Sequence, residues 1–442
     1  MSPRGPDTAC ARGEARDATA ALPLPRAAGG AIVATCAVLA TIALIVSRRP
    51  DGIWNAQFWA EDGKIWYAQA YNEGALHALL LPAAGYLQSF SRLTAALSLA
   101  VDLRHAPLVF DVAAVLVQAL PPLYLLSARY ARLIPDLRLR MLAALLLIGA
   151  PNSFEIQSNV TNAQTHLALL SLLIVLADAP QGPAGFAFDV FFLLVAGLSG
   201  PTCVLLLPVA VLAWWQQPSR RRVVLVLAVL LPAVVQTSTY LATGGAGRVT
   251  SPLGASVARL LQIVGGQIFV AGTIGAKGYA LLVHHGEPWT PTVMVLAGVA
   301  GLLFVARVLW VAQSVALRLF ALFAALALAA GLSSPAIIEA PRWQALCTPN
   351  AGGRYYASAI LAYLAGLLWS ASADPSPRWR GLSRATLAAV LLIGMPVDWR
   401  VQPRVDLDFA HQAELFDEAA PGTEVRIPIP PGWRMKLDKH ER

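Results

Sequence analysis

The sequence predicts an all-α polytopic membrane protein, a bundle of 11 to 13 membrane-spanning helices with a small C-terminal appendage of α/β or β structure. Three observations support this fold class. Of the 442 residues, 57% are hydrophobic and only 13% are charged, against roughly 25% charged in soluble domains. Apolar runs close to the ~20 residues that cross a bilayer recur from Ala28 to Pro396. From Val397 onward the chain is charged and has no such run.

Arginine clusters set the predicted orientation. They fall between apolar runs, as the positive-inside rule expects of cytoplasmic loops, so we do not read the net charge of +8 as nucleic-acid binding. The clusters are Arg129, Arg132, Arg138 and Arg140, then Arg220, Arg221 and Arg222, then Arg378, Arg380 and Arg384. Holding them inside gives eleven crossings and an outer C-terminus. The crossings are residues 28–46, 106–127, 139–150, 164–177, 185–198, 202–215, 223–241, 290–308, 315–332, 355–370 and 386–396.

Two further runs, residues 86–101 and 257–275, are apolar enough to cross. If both did, the count would be thirteen and two arginine clusters would move outside, which the charge rule disfavours. We therefore expect both runs to be re-entrant or interfacial.

The chain divides into three predicted parts. Residues 1–27 form a disordered cytoplasmic tail, with a cleaved signal peptide as the alternative for this segment and the following run. Residues 28–396 form the transmembrane domain, in which residues 47–105 are a first outer loop with interfacial helices. Residues 397–442 form an outer appendage, because "EVRIPI" alternates like a strand and Pro-Pro-Gly predicts a turn. The four cysteines are scattered, which indicates neither a disulfide framework nor a zinc site.

Several helices are interrupted at their predicted outer ends. The breaks are "APNSFEIQSNVTNAQTH" (residues 150–166) and "LSGPT" (residues 198–202). Irregular backbone at membrane depth is costly unless it is buried in protein or lines a wet cavity, so the breaks suggest an outward-facing cavity. A short turn between hairpin helices is an equal alternative for "LSGPT".

Two adjacent carboxylates, Glu61 and Asp62, follow the first apolar run and lie between Trp59 and Trp66. Adjacent helical residues point about 100° apart, so we expect one of them to act alone. Such a group could be a general base, hold a metal or bind a sugar hydroxyl. The structural alternative is an acid at the N-terminus of an interfacial helix.

A second polar group comprises Glu155, Asn159, Asn162, Gln164 and His166. Glu155, Asn159 and Asn162 are spaced by four and three residues, so in a helix they would share a face suited to sugar hydroxyls. A polar loop with an N-cap at Thr161 or Asn162 is the alternative.

Basic and aromatic residues form a third candidate group. In "AGGRYYAS", Arg354 precedes Tyr355 at the outer mouth of an apolar helix, where a guanidinium can hold a phosphate at headgroup level. An aromatic belt with a snorkelling arginine is the alternative. Lys277 is a further outer cation.

The motifs "WAEDG", "AAGYL", "NVTNAQ", "LSGPT", "GGRYY" and "IPIPPGW", with a long first outer loop that starts with an acidic motif, resemble the C-type glycosyltransferase (GT-C) superfamily of membrane enzymes. The resemblance implies a GT-C-like bundle in a bacterial inner membrane, with a cytoplasmic N-terminus and a periplasmic C-terminus. It implies inverting transfer of a sugar from a polyprenyl-phosphate donor to a glycan, lipid or protein acceptor. Asp62 or Glu61 would be the catalytic acid group, and Arg354 would hold the donor phosphate.

Other functions remain open at this point. No cofactor is indicated with certainty, and a divalent metal at Glu61 or Asp62 is an open alternative because metal use varies within the superfamily. A transporter or flippase of lipid-linked glycans would use the same cations without a base. An O-antigen polymerase or ligase would share the substrate and the many spans.

Overall fold

A computed structural model describes residues 26–244, 251–285 and 289–440. The chain is an all-α bundle with one small two-stranded antiparallel sheet near its C-terminus, which confirms the predicted fold class. Most of the predicted N-terminal tail, together with Cys10, lies outside the described residues; the first helix begins at Arg26.

Helices account for nearly all of the regular structure in the described ranges. The α-helices, in chain order, are α1 (Arg26–Arg48), α2 (Asp51–Trp54), α3 (Ala68–Asn72), α4 (Ala75–Ala78), α5 (Ser89–Ser98), α6 (Ala106–Leu126), α7 (Leu137–Gly149), α8 (Ala163–Leu176), α9 (Pro183–Gly197), α10 (Thr202–Gln216), α11 (Arg220–Thr243), α12 (Val257–Ile263), α13 (Ala271–His285), α14 (Thr290–Ala312), α15 (Val315–Ser333), α16 (Arg342–Leu346), α17 (Gly353–Ala373), α18 (Pro377–Ala389), α19 (Met395–Trp399) and α20 (Phe409–Glu418). The π-helical segments are Asp62–Tyr67, Val264–Val270 and Val390–Gly394, and the 3-10 turns are Ala128–Tyr130 and Phe154–Ile156. The strands are β1 (Glu424–Ile429) and β2 (Trp433–Asp438).

Eight helical segments within the described ranges are long and apolar enough to cross a membrane. They are Gly30–Arg48, Ala106–Leu126, Arg220–Thr243, Val257–His285, Thr290–Ala312, Val315–Ser333, Gly353–Ala373 and Pro377–Trp399. Three shorter apolar helices, α8, α9 and α10, accompany them. The chain is therefore a multi-pass membrane protein.

The bundle has two chemically different ends. At one end, which we call the site end, Arg48 closes α1 and donates to the carbonyl oxygens of Ile148 in α7 and of Asp398 and Trp399 at the end of α19. Helix α7 ends here, and so does the continuous segment Pro377–Trp399, which begins with α18 and ends with α19. The arginines at the start of α7 and of α18 therefore lie at the other end of the bundle.

At this opposite end, buried Asp189 accepts from Arg129 and from Arg221, with N–O distances of 2.8 and 3.0 Å. Arg307 pairs with Asp374 there as well. The three arginine clusters thus share one end, as the orientation argument requires.

Helix α5 is too short to cross a bilayer. Its ten residues span about 15 Å, half of the ~30 Å hydrocarbon thickness. This agrees with the expectation that residues 86–101 do not cross.

The segment Val257–His285 is long enough to cross, but it folds back on itself. Gly275 breaks the helix with φ 87°. A side chain on Gly266 would clash with the Tyr279 hydroxyl oxygen, although these residues would be about 20 Å apart in a straight helix. Both limbs meet Cys347, since Tyr279 donates to its carbonyl oxygen and its thiol lies 3.7 Å from the Gln262 amide oxygen. The hairpin favours the prediction of a re-entrant segment.

The predicted break at residues 150–166 is a loop that packs into the bundle. Helix α8 begins only at Ala163, so Glu155, Asn159 and Asn162 do not share a helical face. The loop residues Asn152, Gln157 and Asn159 are buried. The loop at this break thus packs its own polar groups into the bundle, and most of them are hydrogen-bonded within the protein.

The turn "LSGPT" is closed in a similar way. The buried Gln236 amide in α11 donates to the carbonyl oxygen of Gly197 and bonds the backbone of Leu87 in both directions. The short-turn alternative therefore describes this break, and "AAGYL" packs against it.

The C-terminal appendage joins the first loop in one hydrophobic core. β1 and β2 pair in register from Glu424–Asp438 to Ile429–Trp433. Their inward residues Ile427, Ile429, Met435 and Leu437 are fully buried. They pack with helix α20 against aromatic residues of the loop, namely Phe58, Trp66 and Tyr67. The appendage is α/β, one of the two predicted alternatives, and it packs against the segment that carries Glu61 and Asp62.

Candidate functional site

The acidic motif is held by the turn between β1 and β2. Ala60 adopts φ 45°, a conformation that a residue with a side chain rarely adopts, and its N–H donates to the Pro430 carbonyl oxygen at 2.8 Å. Gly63 is packed so closely that a side chain there would come within 2.9 Å of Ile429 and 2.8 Å of Phe58. The motifs "WAEDG" and "IPIPPGW" therefore form one structural unit.

Asp62 opens a π-helical segment, and its carboxylate is buried. It accepts from the Thr161 N–H and hydroxyl at 2.9 and 2.8 Å and from the Val160 N–H at 3.3 Å. Burial raises its pKa to about 7, while the Thr161 hydroxyl and the positive charge of Arg404 act in the opposite direction. Both carboxylate oxygens are thus engaged by protein donors, and Asp62 ties the first loop to the 150–162 loop.

Glu61 occupies a different environment, because its side chain is only partly buried. Its charge acts on the guanidinium of Arg354 less strongly than that of Glu155, which forms the ion pair with this arginine. Of the two adjacent acids, Glu61 is the one that a ligand can approach.

Arg354, at the N-terminus of α17, is fixed by a bidentate arrangement. Its guanidinium donates to one carboxylate oxygen of Glu155 at 2.7 Å, and its backbone N–H donates to the other at 3.0 Å. A second guanidinium nitrogen donates to the Tyr355 hydroxyl at 3.1 Å. Arg354 is 32% exposed and Glu155 is 20% exposed, so the pair faces solvent in part. We call Glu61, Glu155, Arg354 and Tyr355 the acidic cluster, since it holds two carboxylates and one guanidinium.

The other residues of the second polar group organise the loop. Asn159 and Asn162 are buried and donate to the Glu155 carbonyl oxygen at 2.8 and 3.1 Å. His166 is buried against the Ile156 carbonyl oxygen at 2.9 Å. Gln164 lies over Gly200 in the "LSGPT" turn. Their predicted binding of sugar hydroxyls stays a prediction, whereas Glu155 alone joins the acidic cluster.

Lys277 lies on the returning limb of the re-entrant hairpin and is exposed. Its N–H and that of Ala276 donate to Asp398, which also accepts from the Asn152 N–H. Lys277 therefore shares the site end with Arg354, but the contacts described place it beside the end of the last membrane helix.

Three buried arginines near the motif were not predicted. Arg404 pairs with Asp111 and donates to the Ser158 carbonyl oxygen. Arg49 donates to the Gln157 carbonyl oxygen and lies over the Trp59 ring. One signal was available, because Arg48 and Arg49 follow the first apolar run on its outer side, against the charge rule. Cations in that position need buried partners.

Asp62 does not fit the role of a metal ligand. Both oxygens of Asp62 accept from protein donors. In residues 26–244, 251–285 and 289–440, no group of three or more His, Cys, Asp or Glu side chains could hold a metal ion.

The fold and the site define a class: a multi-pass helical membrane protein with a partly exposed acidic cluster at the end opposite its arginine-rich loops. No protein-family model matches the chain, and no curated protein matches its sequence.

Proposed function

We propose that the protein is a glycosyltransferase of a bacterial inner membrane that transfers a sugar from a polyprenyl-phosphate donor to a cell-envelope acceptor on the periplasmic side. One observation carries the proposal: Glu61 is partly exposed at the end of the bundle away from the arginine clusters, the end that also holds the ion pair of Arg354 and Glu155. If those clusters are cytoplasmic, the acidic cluster faces the periplasm at headgroup level.

In this reaction Glu61 is the general base. The acceptor hydroxyl oxygen forms a bond to the anomeric carbon and its proton passes to the Glu61 carboxylate. The bond from that carbon to the phosphate oxygen breaks, and the lipid phosphate leaves with the electron pair. Attack on the face opposite the leaving group inverts the configuration.

Arg354 is the candidate cation for the departing phosphate. A guanidinium has five N–H groups, and its bonds to Glu155 and Tyr355 in the described residues use one on each of two nitrogens. The remaining groups can reach a phosphate oxygen while Glu155 keeps the fork oriented. Asp62 is a positioning residue, because it holds the loop on which Glu61 sits.

We expect Glu61→Gln to lower transfer by about 10²- to 10⁴-fold, the usual contribution of a general base. The assay would follow release of farnesyl phosphate from farnesyl-phosphate mannose and glucose in protein-containing nanodiscs. Glu73→Gln, an exposed acid of the same loop, is the matched control and should be unaffected. Undiminished turnover in Glu61→Gln would remove Glu61 from the mechanism.

A transporter of lipid-linked glycans is the alternative from another class, with an O-antigen polymerase or ligase as a further enzyme alternative. A transporter would carry donor across the membrane without releasing farnesyl phosphate in either protein. Release that requires Glu61 would therefore separate an enzyme from a transporter.

A further inference from the structure

A cavity of about 550 Å³ lies in the loop that precedes α17. Its polar lining consists of Glu339, Gln344 and Thr348, and small or apolar residues such as Ala345 and Gly352 form the rest. The volume is within the ~300–1,000 Å³ typical of small-molecule sites.

The wall of this cavity is held by side chains from the re-entrant hairpin. Buried Gln267 donates to the carbonyl oxygens of Leu346 and Thr348 at 2.9 and 2.7 Å. Tyr279 donates to the carbonyl oxygen of Cys347 between them at 2.7 Å. Three consecutive loop residues are thus fixed through their backbone, and one of them, Thr348, lines the cavity.

The cavity adjoins the acidic cluster. Gly352 lines it, and the Tyr355 ring packs on Gly352 so closely that a side chain there would meet the ring at 2.8 Å. The hydroxyl of the same tyrosine accepts from Arg354. A group seated in the cavity therefore lies next to the residues proposed for transfer.

We propose that this cavity binds an uncharged polyhydroxylated group, a sugar residue of the glycosyl acceptor. The assignment rests on the proposed function and names the acceptor class. A carboxylate, an amide and a hydroxyl together accept from and donate to sugar hydroxyls. The small apolar residues can contact the C–H face of a pyranose ring.

Other occupants match the lining less well. A phosphate would meet the negative charge of exposed Glu339, and the neighbouring cation, Arg259, already donates to the amide oxygens of Gln262 and Gln344. An isoprenoid chain would cover Glu339, Gln344 and Thr348 without pairing their polar atoms.

The test is saturation-transfer NMR on the full chain in nanodiscs, with the methyl α-D-glycosides of glucose, mannose and galactose as probes. We expect at least one glycoside to give a saturation-transfer signal with the parent protein. Ala345→Trp fills the cavity and should abolish that signal, while Ala255→Trp, at an exposed position outside the lining, should retain it. Thr348→Val and Glu339→Gln, which change no volume, should each weaken binding several-fold to about tenfold.

The absence of signal for all three probes would overturn the assignment, as would a signal unchanged in Ala345→Trp, Thr348→Val and Glu339→Gln. Failure of the two proposals can be distinguished. If glycosides bind at the cavity but no donor is ever turned over, the proposed function fails and the sugar site stands. If turnover depends on Glu61 but is insensitive to Ala345→Trp, the sugar site fails and the proposed function stands.

Discussion

Glu61 and Asp62 are neighbours in the chain but differ in environment and role. Asp62 is 2% exposed and accepts from Val160 and Thr161, while the Glu61 side chain is only partly buried. Glu61 lies just before the π-helical segment and Asp62 is its first residue. The Asp62 side chain is buried, whereas that of Glu61 stays partly exposed. The pair therefore combines an anchor and an accessible acid.

The raised pKa of Asp62 predicts a pH-dependent stability. The folded state holds the proton up to about pH 7, whereas the unfolded group loses it near 3.8. The free energy of unfolding should fall as pH rises between these values, by up to about 4 kcal/mol. SDS-induced unfolding from pH 4 to 8 would measure it.

Asp62→Asn is the matched control for this pH effect. The difference in unfolding free energy between the parent protein and Asp62→Asn should change across that pH range. A constant difference would show that Asp62 keeps an ordinary pKa.

At the scale of elements, the β1–β2 hairpin acts on a motif more than 360 residues earlier in the chain. The Pro430 carbonyl oxygen in its turn accepts a hydrogen bond from the Ala60 N–H, and the Ile429 side chain packs closely against Gly63. Arg404, in the segment that leads to the hairpin, pairs with Asp111 in α6 and donates to the Gln57 carbonyl oxygen in the first loop. The acidic motif is therefore fixed by two segments distant in the chain, the C-terminal segment and the 150–162 loop, and not by its local sequence.

Ile429→Ala should destabilise the protein by about 2–5 kcal/mol, the usual cost of truncating a fully buried isoleucine. It should also reduce transfer in the folded fraction, because Gly63 and Glu61 lose their support. Thermal unfolding and farnesyl phosphate release would be measured on the same samples. Val425→Ala, only partly buried on the same strand, is the control and should have a smaller effect on both. Equal effects would argue against a specific role of the turn.

At the scale of the whole molecule, the arginine clusters and the acidic cluster occupy opposite ends. Asp189 forms ion pairs with Arg129 and Arg221 at one end, and Glu155 forms an ion pair with Arg354 at the other. This polarity makes the orientation testable without knowledge of any substrate.

The re-entrant hairpin predicts that Ser256 and Trp289, on either side of it, face the same side of the membrane. Two variants, each with a single cysteine at one of these positions and without the native cysteines, should both react with a membrane-impermeant maleimide added outside. A single cysteine in place of Ser219, at the opposite end, should react only after the membrane is permeabilised. Labelling of Ser256 and Trp289 from opposite sides would mean that this segment crosses.

Hydropathy by itself determined the membrane class and most helix positions, because lipid tolerates only runs of apolar residues whose backbone bonds are internal. The alternation in "EVRIPI" and the Pro-Pro-Gly turn predicted a C-terminal appendage of α/β or β structure. The sequence also identified the motifs that meet at the site end. Only the tertiary structure decided which members of a motif are exposed. Asn159 and Asn162 donate to the carbonyl oxygen of Glu155 in their own loop, the Asp62 carboxylate accepts from Thr161, and Arg354 pairs with Glu155. The physical reason is that burial and hydrogen-bond partners come from segments distant in the chain, such as Pro430 and Arg404, whose contacts no local pattern encodes.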